Sequence, residues 1–157
     1  RGDQLADVRT FLAREEPGNR DFVMVGCTWS PARDLAAQSG ARFFPVSCVG
    51  TLHSSTVEHL LRGGAGGVLV VGCAEHDGRT REGVTWTQQR LFEGRKADLK
   101  QRVDKTRVRL VQASLGEGVS LHDAARVFAE EVQALADDGN SVDLVAACKK
   151  GSLEEVF

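Results

Sequence analysis

Three short apolar runs, each closing on a cysteine, constrain this chain more than any other feature: "FVMVGC" ending at Cys27, "FFPVSC" ending at Cys48 and "GVLVVGC" ending at Cys73. Between them lie segments with helical start and stop signals. In "SPARDLAAQSG", Ser30 stands as N-cap, Pro31 at the first helical position and Gly40 as the stop. In "SSTVEHLLRGG", Ser55 and Glu58 have capping-box spacing and Gly63-Gly64 supplies the exit. Strands separated by capped helices need crossover connections, so the pattern implies βαβ units, a parallel sheet and helices on both of its faces. The run from Gly67 to Gly72 is apolar throughout, as a strand covered on both sides must be.

The rest of the chain extends the same alternation. Leu5, Val8 and Leu12 recur at helical spacing over residues 3 to 14, behind Asp3 and ahead of Pro17-Gly18. Strands are expected at 22 to 26, 42 to 47, 67 to 72 and 107 to 113. Val84, Leu91, Leu99 and Val103 predict one long helix from Gly83 to Val103, and Leu121, Ala125, Phe128, Val132 and Leu135 mark one side of a further amphipathic helix. One or two helical turns are expected around Cys148. The fold class is α/β: a Rossmann-like or flavodoxin-like three-layer fold with a parallel four-stranded central sheet. At 157 residues with no internal repeat or linker, the chain reads as a single domain, 1–157, and its start at Arg1 suggests excision from a longer polypeptide.

Composition removes several function classes. The longest apolar runs fall far short of the ~20 residues that span a bilayer, so no membrane insertion is expected and a cytoplasmic location follows. Four cysteines are too few and too scattered to staple a fold of this size. The formal net charge of -2 hides a dipole: residues 79 to 109 hold ten Arg/Lys against four Asp/Glu, and residues 110 to 157 three against nine. A solvated basic helix beside an acidic one explains this. A basic docking face around Arg79, Arg81 and Arg90 for an acidic redox partner is the functional alternative. Nucleic acid is not an expected partner, because few aromatics are interleaved with the cations. The glycines of "RGGAGG" precede a strand instead of following one, which excludes a dinucleotide fingerprint or phosphate loop.

In an open parallel sheet, ligands sit beyond the carboxyl ends of the strands, where Cys27, Cys48 and Cys73 all fall. One cysteine there is explained as a small buried hydrophobe. Three raise the alternative of a shared metal or cluster site, with His53 and His76 in nearby loops as substitute ligands. No Cys-x-x-Cys pair is present, and no Cys/His spacing suggests an activated nucleophile, so no independent catalytic site is recognised.

Taken in order, "VGCTWSPARDLA", "VSCVG", "GAGGVLVVGCAEHDGRTREG" and "RVRLVQASLGEG" resemble the segments of the methyl-viologen-reducing hydrogenase delta subunit family, from Phe22 to Val132. That family is an iron-sulfur electron-transfer module, also found fused to heterodisulfide-reductase-type flavoproteins. The resemblance implies cofactor and metal ligands at Cys27, Cys48 and Cys73, with Asp77, Glu82 and Gly83 continuing the match. It also implies two departures, since Ser30 and Gly78 stand where the family pattern has cysteine. The implied function is electron transfer within a hydrogenase or heterodisulfide-reductase-like complex, through a labile 2Fe-2S cluster. The alternative is a cluster-free assembly domain of such a complex, with no cofactor in the isolated domain. Either way the partners are other subunits or domains of a redox complex.

Overall fold

The computed structural model describes residues 2–74, 82–95, 99, 103–113 and 118–137. Four strands, β1 (Phe22–Cys27), β2 (Arg42–Val46), β3 (Gly67–Cys73) and β4 (Val108–Ala113), form one sheet in the order β2-β1-β3-β4. All three pairings are parallel. The expected α/β architecture is therefore the observed one, and the order of the described strands is that of the first four strands of the flavodoxin-like doubly wound sheet.

Strand alternation divides the core into two layers. Val23 and Val25 of β1 and Val68 and Val70 of β3 pack on one face with Phe44, Val57, Leu60 and Leu91. Phe22, Met24, Leu69 and Val71 pack on the other with Leu35, Ala125, Phe128 and Val132. The first face is covered by α1 (Gly2–Glu15), α3 (Ser54–Arg62) and α4 (Gly83–Phe92), and the second by α2 (Ala32–Ser39) and α5 (Gly118–Asp137). Residues Val68 to Val71 are at most 1% exposed, so both faces of β3 are dry. Edge-to-face pairs, Phe11 with Phe44 and Phe22 with Phe128, tie a helix to the sheet in each layer.

Two local expectations are corrected. The helix read from Gly83 to Val103 stops at Phe92, with Gly94 at φ +72° two residues on. Leu99 and Val103 still enter the first core layer, though neither is helical, and the Leu99 amide donates to the Arg90 carbonyl at 3.0 Å. Their spacing imitated a helix because both are needed in the same layer. At α3 the capping residue is His53, whose Nδ1 accepts from the Ser55 amide at 3.2 Å, and Ser55 lies within the helix. The turns expected around Cys148, and residues His76, Asp77 and Gly78, lie outside the described residues. Among the described residues no helix is long and apolar enough to cross a membrane.

Candidate functional site

The strand order reverses direction between β1 and β3, and the carboxyl ends at such a switch point are the usual ligand site of open α/β sheets. Cys27 ends β1 and Cys73 ends β3. Cys48 lies two residues beyond β2, just before the 3₁₀ turn Val49–Thr51. All three are half-buried. The sheet thus puts the three cysteines along one edge, and its pleat then sets Cys27 and Cys73 on opposite faces. Cys27 pairs with Val46, whose face is that of Val23 and Val25. Cys73 pairs with Ala113, which belongs to the opposite layer with Leu69 and Val71. The ladder that sets Gly26 against Val71 leaves Cys73 one residue out of step with Cys27, and one residue is one face.

Ser30 belongs to a tight turn in which its amide donates to the Cys27 carbonyl at 3.0 Å. Its hydroxyl accepts from the Ala32 amide at 3.3 Å, and Pro31 already has helical φ and ψ, so the side chain caps α2 as its position before proline suggested. That hydroxyl sits on the α2 side of the sheet: a Cβ at Gly26 would approach it to 2.9 Å. Between Thr28 and Ser30 the turn presents Trp29, 78% exposed.

The Cys48 turn is held from α4. Thr87, fully buried, donates its hydroxyl to the Val49 carbonyl at 2.8 Å, and Arg90 reaches the Gly50 carbonyl at 2.6 Å and the Thr87 hydroxyl at 2.9 Å. Gly50 and Gly83 bring the two backbones so close that a Cβ on Gly50 would lie 2.7 Å from the Gly83 Cα. The Thr51 amide and hydroxyl both donate to the Cys48 carbonyl. Arg90, read from sequence as part of a docking face, is therefore turned inward. Burial first, and the charge of Arg95 second, lower its pKa below the ordinary arginine value. Sequence reasoning missed this clamp. Its one outward sign was a threonine in the α4 pattern, four residues after a glycine.

A two-iron cluster takes four donors directed at one small volume. Among the described residues no three His, Cys, Asp or Glu side chains are grouped so as to hold a metal ion. The Nδ1 of His53 is engaged at the α3 N-terminus, and Ser30 is engaged as a cap. Gly78 has no donor to offer. Among the described residues, the donors are not assembled as a two-iron cluster requires.

The sheet order and the two covered faces define a doubly wound α/β protein with three cysteines along its carboxyl edge. Residues 23–136 match the family model described as the methyl-viologen-reducing hydrogenase, delta subunit, and the chain belongs to that family. A comparison with curated proteins gives no match.

Proposed function

We propose that this chain is a protein-protein assembly subunit of a hydrogenase or heterodisulfide-reductase-type redox complex, with no cofactor of its own. The observation that carries the reading is the donor set. The serine in the ligand position of the β1 turn is committed to capping α2, and register sends Cys27 and Cys73 to opposite faces. The fold does not depend on a metal: two dry core layers meet at the sheet, and a chain of this length buries enough apolar surface to fold without a staple. An electron-transfer role through a labile two-iron cluster is the second reading, favoured by three half-buried cysteines along one sheet edge.

Anaerobic purification followed by iron and acid-labile sulfide analysis separates the two. The assembly reading expects far less than one iron per chain before and after chemical reconstitution, and a melting curve unchanged by a chelator. Reconstitution to about two irons per chain, lost in Cys73→Ala, would establish the electron-transfer reading instead.

A further inference from the structure

We propose that the outer edge of β4, with the groove beside it, takes an acidic extended segment of a partner subunit as an added strand. This deepens the assembly reading by naming a docking surface. The two edges of the sheet are finished differently. In β2, the exposed Pro45 cannot donate to a neighbour, and Arg42 at the strand's start is tied back to the Glu15 carbonyl at 2.9 Å and the Asp21 carboxylate at 3.1 Å. β4 lacks the proline, though its Arg109 is likewise tied back, to Glu131 of α5. Its six residues contain no proline or glycine, and among the described residues it is paired on the β3 side alone. Leu110 and Val111 stay half-buried at its centre. Such an edge offers the row of amides and carbonyls to which extended peptides add.

Charge selects the occupant. A groove of about 380 Å³ runs beside the amino end of β4, lined by Lys105, Thr106, Val108 and Arg109 and, from α5, Glu131 and Leu135. Arg109 is matched by Glu131 at 2.6 Å and lies over the Phe128 ring. Arg107, 1% exposed, donates Nη1 to the Gly66 carbonyl at 2.8 Å, while its Nε and Nη2 have no hydrogen-bond partner and the Asp104 carboxylate stands 3.7 Å away. Lys105 is exposed and has no ion pair among the described residues. Of the residues that line the groove, two cations, Lys105 and Arg109, thus face the single carboxylate of Glu131. The surplus is positive, the floor is apolar, and an extended segment carrying apolar and acidic side chains answers both.

The full chain is titrated, by fluorescence anisotropy, with a labelled ten-residue peptide alternating valine and aspartate. A valine-lysine peptide is the control, and amide exchange is followed by mass spectrometry. The expected result is saturable binding of the aspartate peptide alone, slowed exchange across residues 108 to 113, and roughly tenfold weaker binding in Lys105→Glu and at high salt. Lys105→Ala replaces that variant if its melting differs from wild type. Equal binding of both peptides, no binding, or unchanged exchange in β4 overturns the proposal. So does prior protection of β4 that disappears on truncation after Asp137, which would make residues 138–157 the occupant, or on dilution, which would make it a second copy. The iron and sulfide assay is independent of this titration, so the docking surface can fail while the assembly reading stands.

Discussion

Replacing Thr87 by valine tests the clamp that joins α4 to the Cys48 turn. The side chain is fully buried, and its hydroxyl proton serves the Val49 carbonyl at 2.8 Å, with the Gly83 carbonyl at 3.1 Å as the longer alternative. Valine has the same shape without the proton. The Val49 carbonyl keeps the Leu52 amide at 3.0 Å and Arg90 keeps the Gly50 carbonyl at 2.6 Å, so the change removes two hydrogen bonds, Thr87 to Val49 and Arg90 to Thr87, without leaving either carbonyl unserved. Two such bonds at about 0.5–1.5 kcal/mol each, less just under about 1 kcal/mol returned by burying one more methyl, give a net loss of about 1–2 kcal/mol. At this chain length that lowers the melting temperature by about 2–8 °C. Urea unfolding measures the loss as a fall in midpoint at constant slope. Site-resolved mass mapping of thiol modification measures the local consequence: Cys48 reacts faster in Thr87→Val, whereas Thr87→Ser, which keeps the proton, leaves it unchanged. Stability within about 0.3 kcal/mol of wild type, a difference too small for a lost buried hydrogen bond, or an unaltered Cys48 rate, would refute the reasoning.

Phe128 is fully buried, stacked edge-to-face on Phe22 at 5.4 Å, so Phe128→Ala should cost about 3–5 kcal/mol in urea unfolding. Gly40 caps α2 at φ +71° with nothing within 4 Å of where a Cβ would stand; Gly40→Ala should therefore cost only the left-handed backbone strain, about 1 kcal/mol, read as a small fall in melting temperature. Trp29→Ala, removing a side chain 78% exposed, should leave the melting curve of the isolated chain within about 0.5 kcal/mol of wild type.

The strands were legible because a sheet covered on both faces demands unbroken apolar runs, and Val68 to Val71 are such a run. The end of α4 was not: Leu99 and Val103 are apolar for the sake of the core layer they enter, and periodicity does not reveal the path that brings them there. Nor did the pattern reveal His53 as a cap, since its ring nitrogen does the work usually given to serine or aspartate. For the candidate site, the position of each cysteine at a strand end was legible from the point where each run turns polar. The face of each was not. It depends on β1 starting level with Phe22 against Gly67, an inter-strand register that packing decides and no single strand carries. Arg107 was read as the first residue of a strand, but it closes a 3₁₀ turn and is buried whole, an outcome foreign to the usual habits of arginine.

The order β2-β1-β3-β4 also bears on how the molecule comes into being on the ribosome. Synthesis delivers β1 first, and β2 finds it waiting on one side; β3 then finds the other side of β1 still open, and β4 finds β3. No strand has to be threaded between two already paired, so the sheet grows outward by addition in the order of translation. With the earlier strands already paired, each addition brings in one further crossover, which keeps the entropic cost of that step small.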